Sequence, residues 1–484
     1  MNKLNNGLNK LSPQQKAELQ KQLARIATQK QAAKTARNKD SKNKARDRDK
    51  DIAIIGIACR FPGEVSNLDQ YWKLLQTNQS VIKPIPELRF TLPSDSHHGA
   101  KVAGLINDID KFDAAFFRMP PILAKYTDPQ QRLMLTLSQQ ALVDAGYSAS
   151  DLTKHKTGVF TGVCNYDYRE IIERAGKATS ELAAIGTFPS LMANRISFFH
   201  NFRGPSVTID TACSSSLVAV HQAKQSINSG DCDYALAGGV NLICTPTNSL
   251  SFAAAGMLSP TGQCRTFDAE ADGYIRGEGA GIMVLKSLAR AEQDGDRIYG
   301  VIRGSAINHG GAANTLTSPN PQAQAEVIVA AMQDADCSSE DISYIEAHGT
   351  GTKLGDPLEV EGLNLAFKQL SGKSTKQPHC ALGSVKPTIG HLESAAGIAG
   401  LLKILVLFRY KSLVGIANFN QPNPHLQLED TPFYINQENQ FWQPTDDHNS
   451  LKAGVSSFGF GGANAHVVLE SYEQKPKRID EIDW

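Results

Sequence analysis

Apolar residues in this chain fall into short continuous runs, separated by longer stretches with helical spacing. The first run, Asp51-Ile-Ala-Ile-Ile-Gly-Ile-Ala58, is bounded by charge on one side and by Cys59-Arg60-Phe61-Pro62-Gly63 on the other, as suits a strand buried on both faces. Similar runs recur at Thr157–Gly162, Pro205–Asp210, Tyr234–Ile243, Gly281–Lys286, Ile298–Asn308, Ile342–Ala347 and Ala465–Glu470. Helical patterns lie between them at Asp128–Ala145, Ser214–Asn228, Pro321–Asp336 and Glu393–Tyr410. This alternation predicts an α/β protein with mostly parallel sheets covered on both faces, divided into two α/β halves near residues 290–300.

The first 50 residues follow another pattern. Ser12-Pro13 can start a helix, as N-cap and first helical residue, and Leu19, Leu23 and Ile26 form a narrow apolar stripe behind it. From Ala27 to Lys50 the chain is a solvated run of Lys, Arg, Asn, Asp and Gln. Residues 1–50 hold 14 Lys+Arg against 4 Asp+Glu, while the 484-residue chain is neutral with 49 of each class, so the remainder is acidic. An acidic folded part argues against a dedicated nucleic-acid binder. Hydrophobic residues at 41% support a sizeable core. No apolar run is long enough to span a bilayer, and Met1–Asn6 has no signal-peptide core, so a cytoplasmic protein is expected. Eight scattered cysteines without a CxxC pair predict neither a metal site nor a disulfide scaffold.

Four motifs carry chemistry. In Asp210-Thr-Ala-Cys213-Ser-Ser-Ser-Leu217 a strand turns sharply into a helix with Cys213 at the helix start. Backbone N–H groups and the helix dipole there favour an anion, so a lowered thiol pKa is expected. A cysteine is otherwise an inert apolar residue, and the strand–turn–helix setting is what marks this one as a nucleophile. His348 in Ala347-His348-Gly-Thr350-Gly-Thr352 ends a strand, and His391 in Lys386-Pro-Thr-Ile-Gly-His391 opens a helix. Ser456-Ser-Phe458-Gly-Phe460-Gly-Gly-Ala-Asn464 lets backbone N–H groups approach a ligand, but lacks the Lys-Ser/Thr of a phosphate loop.

Taken together, Cys213, His348 and His391 resemble the Cys-His-His set of the β-ketoacyl synthases, condensing enzymes of the thiolase superfamily. The resemblance spans about residues 51–470. It includes Asp128-Pro-Gln-Gln-Arg132, Gly204-Pro-Ser206, the cysteine motif, Phe267–Gly279, the GTGT loop with Gly355-Asp356-Pro357, the His391-Leu-Glu segment and the terminal GFGG loop. Within the family the chain looks most like polyketide synthase ketosynthases, and Asn308–Gly311 with Leu316–Pro321 resembles those of trans-acyltransferase assembly lines.

The resemblance implies a layered αβαβα fold of two similar halves, residues 51–295 and 296–470, preceded by a basic helix and linker (1–50) and followed by a tail (471–484). It implies that Cys213 accepts an acyl chain from the phosphopantetheine arm of an acyl carrier protein. His348 and His391 then stabilise the enolate formed from malonyl carrier. Lys386 supports the histidines, the N–H groups of Cys213 and Phe460 hold the oxyanion, Phe460 gates the cysteine, and Thr350 and Thr352 contact pantetheine. The enzyme itself needs no metal or bound cofactor, and a homodimer paired through Pro205–Asp210 is expected. The basic segment 1–50, by its own pattern, is either a tail without function or a helix that docks a neighbouring domain or synthase protein. Pro387 and Thr388 replace the usual residues between the lysine and Ile-Gly-His, residues 118–127 depart from the pattern, and Leu88–Lys101 is short. Two competing readings are a papain-like hydrolase, which needs only one of the histidines, and a carrier-binding scaffold or transacylase that does not elongate.

Overall fold

The computed structural model describes residues 50–371, 377–444 and 450–474. The amphipathic helix expected near Ser12–Ile26 lies outside the described residues, as does the tail beyond Gln474.

Eleven strands form the main sheet: β1 (Ile52–Arg60), β2 (Thr157–Gly162), β3 (Ser206–Ile209), β4 (Tyr234–Asn241), β5 (Gly279–Ser287), β6 (Gly300–His309), β7 (Tyr344–Glu346), β8 (Cys380–Gly383), β9 (Phe433–Ile435), β10 (Lys452–Phe458) and β11 (Ala463–Glu470). Their order across the sheet is β9-β8-β7-β10-β11-β6-β1-β5-β4-β2-β3. The first half runs β3-β2-β4-β5-β1 and the second β8-β7-β10-β11-β6, so the same topology occurs twice. In each half two parallel junctions are followed by two antiparallel ones. The halves meet antiparallel where Ile52, Ala53 and Ile54 face Ile302, Val301 and Gly300. The expectation of mostly parallel sheets is therefore corrected. In each half the last strand pairs against both its predecessor in the sheet and the first strand, and β10 and β11 form a direct hairpin.

Helices α1 (Pro129–Asp144) and α2 (Leu191–His200) cover the outer face of the first half, and α4 (Pro321–Asp334) and α5 (Gly355–Ser371) that of the second. Between the halves lie α3 (Ser215–Asn228) and α6 (Ala396–Tyr410). In α6 every residue from Ala396 to Phe408 is buried, as required of a helix enclosed on all sides. The result is the αβαβα layering. Close approach of the central helix needs Gly162 at the end of β2: a β-carbon there would lie 2.6 Å from the backbone of Ser215 and Ser216.

Candidate active site

Cys213 lies in a 3₁₀ turn, Ala212–Ser214, between β3 and α3. Ala212 takes φ +54°, left-handed backbone that a side chain disfavours. The serines after the cysteine tie the turn together. Ser215 Oγ accepts from the Thr211 N–H at 2.9 Å and donates to the Ala212 carbonyl at 2.6 Å, while Ser214 Oγ donates to the Thr211 carbonyl at 2.9 Å. Cys213 is only part-buried, but burial still dominates its thiol, which is pushed up to about 12. Glu393 adds to this, while Lys386 and the backbone N–H groups of Phe460 and Cys213 pull the other way. The expected lowering of this pKa is thus overturned: loss of water around the sulfur outweighs the N–H groups at the helix start.

His348 follows β7, and its loop hangs from α5. Glu359, buried on that helix, accepts the N–H groups of His348 and Gly349 at 2.7 and 2.8 Å, and Thr266 Oγ1 donates to the Gly349 carbonyl at 2.7 Å. Burial, Lys386 and His391 hold the His348 imidazole well below its usual pKa. His348 as a residue is part-buried while His391 is 1% exposed, and burial, Lys386 and Arg276 hold His391 well below its usual pKa in the same way. The two rings stand 5.4 Å apart and nearly perpendicular, at 83°. Phe458 packs against His348 at 5.6 Å and Tyr274 against His391 at 5.1 Å.

Lys386 is buried at the start of a short helical turn, Lys386–Ile389. Burial lowers its pKa, and Glu346 and Glu359 oppose that shift. Pro387 falls in the first turn, where its missing N–H costs no helical bond, so the departure from the family pattern is accommodated without breaking the loop. Glu346 accepts the Val385 N–H at 2.7 Å and pairs with Lys403 at 2.7 Å, both charges buried.

Phe460 stands on the loop between β10 and β11 and is 51% exposed. Gly459 presses this loop onto the cysteine turn: a β-carbon there would lie 2.4 Å from the Thr211 carbonyl oxygen. Thr350 and Thr352 bring their hydroxyls to 3.3 Å beside His348, and Thr352 Oγ1 accepts the Gly355 N–H at 3.1 Å. The structure thus gathers Cys213, His348, His391, Lys386 and Phe460 in one place, with the two threonines on the same loop as His348. Two surface clefts of about 350 and 400 Å³, both lined by Arg297, Tyr299 and Arg409, involve none of these residues. Among the described residues, no cluster of His, Cys, Asp or Glu could hold a metal ion, and no helix is long and apolar enough to cross a membrane.

The buried charges around the site, Glu346, Glu359, Lys403 and the pair Arg276–Glu393, were not singled out from sequence. Glu393 lies two residues after His391 and Arg276 inside the Phe267–Gly279 motif, which were the available signals.

Comparison with known proteins agrees with this arrangement. Residues 49–291 match the family model "Beta-ketoacyl synthase, N-terminal domain", residues 299–420 "Beta-ketoacyl synthase, C-terminal domain", and residues 422–482 "Ketoacyl-synthetase C-terminal extension". Polyketide synthase PksN of Bacillus subtilis (strain 168) is 48% identical over 436 residues, covering 87% of this chain and 8% of that protein. Polyketide synthase PksM of the same strain is 44% identical over 449 residues, covering 87% of this chain and 10% of its own length. The chain therefore spans a tenth or less of these relatives. Among solved structures, the ketosynthase from module 6 of the bacillaene synthase from Bacillus subtilis 168 superposes with a TM-score of 0.80 at 42% identity, covering 87% of this chain and 72% of that one. The oxazolomycin ketosynthase domain OzmH KS7 from Streptomyces albus JA3453 gives 0.83 at 40% identity, covering 88% and 76%. With its duplicated αβαβα fold and its two histidines gathered with a cysteine, the chain belongs to the β-ketoacyl synthase family.

Proposed function

We propose that this chain is the condensing unit of a polyketide assembly line of the trans-acyltransferase type, and that it performs decarboxylative Claisen condensation on acyl carrier substrates. One observation carries the reading: two neutral imidazoles, His391 buried and His348 part-buried, stand nearly perpendicular to one another within the reach of Lys386, which also acts on the Cys213 thiol.

In the first half-reaction Cys213 Sγ attacks the acyl thioester carbonyl. The bond to pantetheine sulfur breaks, and the thiol proton leaves with the pantetheine thiol. Backbone N–H groups of Cys213 and Phe460 hold the oxyanion formed at that carbon. In the second, malonyl carrier loses CO2 and the electron pair moves into its thioester, leaving negative charge on oxygen. Two imidazole N–H donors in a dry site stabilise that charge, usually the largest catalytic term. The enolate carbon then attacks the acyl-Cys213 carbonyl, the C–S bond breaks, the freed Cys213 thiolate takes up one proton from solvent, and the β-ketoacyl carrier departs.

Thr350 and Thr352, whose hydroxyls are 3.3 Å apart, would hydrogen-bond the pantetheine amides, and the half-exposed Phe460 would gate the cysteine. On this reading the chain divides into 1–50, 51–295, 296–470 and 471–484, acts as a homodimer, receives acyl and malonyl carrier proteins, and uses residues 1–50 to meet a neighbouring synthase protein. A hydrolase needs only one of the histidines, and a transacylase that does not elongate has no use for the pair. Intact-mass analysis tests the proposal. Acyl carrier should add one acyl mass to Cys213, and malonyl carrier should then release CO2 and yield a β-ketoacyl product. Loading without CO2 release would establish the transacylase instead.

A further inference from the structure

The two histidines of the site are held very differently. His348 Nδ1 is buried and meets no hydrogen-bond partner among the described residues. His391 Nδ1 accepts the backbone N–H of Glu393 at 3.0 Å. A nitrogen that accepts from an amide must present its lone pair, so a neutral His391 carries its proton on Nε2. That is the tautomer able to donate to a thioester oxygen.

What aims the Glu393 N–H is unusual. Glu393 has φ +47°, a backbone state that a glutamate does not favour. Its side chain is gripped by Arg276 through a two-pronged pair, Nε to Oε1 at 2.5 Å and Nη2 to Oε2 at 3.1 Å. The side chains are 1% and 7% exposed. Arg276 is itself fixed by Ser249 Oγ at 2.8 Å and by the Phe252 ring at 5.4 Å. The same segment clamps the backbone of His391: its N–H donates to the Ile275 carbonyl at 2.7 Å, and its carbonyl accepts from Gly277 at 2.8 Å. Main chain and side chain of residues 275–277 thus hold His391 and the group that sets its tautomer. A planar fork is required for this, since a point charge would not fix the carboxylate plane.

We infer that Arg276 and Glu393 are a positioning pair for the condensation step, locking His391 as the Nε2–H donor. This rests on the condensing reading, but its first test does not depend on activity.

The full chain is labelled with ring-¹⁵N histidine, and His391 is assigned by the signal lost in His391→Asn. At neutral pH the wild type should show His391 with its proton on Nε2 only. A proton on Nδ1, or a mixture, overturns the inference. Arg276→Lys keeps the charge and loses the fork. The double variant Arg276→Met with Glu393→Leu removes both charges at similar volume, a replacement buried ion pairs often tolerate. In each folded variant Cys213 should still load from a short acyl thioester, within about threefold of wild type in Arg276→Lys, while CO2 release from malonyl carrier by the loaded enzyme falls about 100-fold and His391 becomes a tautomer mixture. A folded variant that releases CO2 like the wild type shows that the pair is merely structural. If the double variant does not fold, Arg276→Lys decides by the same readings. Failure of the wild type itself to release CO2 would sink the condensing reading and leave the tautomer result standing.

Discussion

Ala212 and Glu393 occupy equivalent places in the two halves of the fold. Each is a left-handed residue, at φ +54° and +47°, opening a 3₁₀ turn that leads into a central helix, α3 or α6. The residue after the first is Cys213 and after the second Ser394. Ser394 is fully buried and its hydroxyl donates to the Val240 carbonyl at 2.6 Å. The duplication therefore makes two elbows, of which one presents a nucleophile and the other is closed. Left-handed backbone at a non-glycine residue costs about 1–3 kcal/mol. That cost is borne at both elbows, where it aims Cys213 in one half and the N–H that meets His391 in the other.

The Cys213 thiol, pushed up to about 12, is protonated in the resting enzyme. Its alkylation by iodoacetamide, followed by intact mass, should rise about tenfold per pH unit between about pH 7 and 9 with no plateau. A plateau below about pH 8 would mean that the helix start wins over burial. Cys213→Ala should abolish acyl loading, and loading that persists on another cysteine removes the assignment.

His348→Ala and His391→Ala should separate the two half-reactions. Loading of Cys213 should stay measurable, while elongated product falls by about 10²–10³, the usual loss of one donor to a developing oxyanion. Both imidazoles are held well below their usual pKa, so they remain neutral donors as pH falls toward 6.5. Decarboxylation should therefore not drop on lowering pH from about 8 to 6.5; a loss with an apparent pKa near 6.5 would contradict the neutral assignment.

Gly459→Ala should push the Phe460 loop off the cysteine turn, because the added carbon would meet the Thr211 oxygen at 2.4 Å. The Phe460 N–H then leaves the sulfur. Loading from a small acyl thioester should fall at least about tenfold, with melting temperature within a few degrees of wild type. Unchanged loading would take the Phe460 N–H out of the oxyanion site.

The strand β3 ends the sheet, Val207 on it is 41% exposed, and Phe198 on the adjoining α2 is 88% exposed. An open edge beside exposed aromatic surface is what a second copy would cover. Light scattering at micromolar concentration should give a dimer, and Phe198→Asp should shift it toward monomer. A wild-type monomer refutes the pairing.

Deleting residues 1–50 should leave folding and small-thioester loading unchanged and slow the reaction with an acidic carrier protein. The loss should be clearest at low salt and shrink near 1 M, where the Debye length is about 3 Å. A truncated chain that elongates as fast as the full chain makes the segment a passive tail.

Each apolar run that predicted a strand became one: β1, β2, β4 and β5 are buried on both faces and must be written in apolar residues, as must the first half of β6. The motif order likewise named Cys213, His348 and His391 before any geometry. The sequence did not disclose β10, whose Ala, Gly and Ser residues carry no periodic signal; its strand state comes from pairing with β7 and β11. Nor did it disclose α5, where Glu359 looks like a surface residue until the fold turns it under the His348 loop. The antiparallel junctions that close each half could not be read from runs that look alike in either direction. Above all, the Cys213 pKa runs opposite to what its place at a helix start predicts. Position at a helix start is local and readable, but removal of water from around a sulfur is the sum of what two halves of a duplicated fold bring together, and only the tertiary structure decides it.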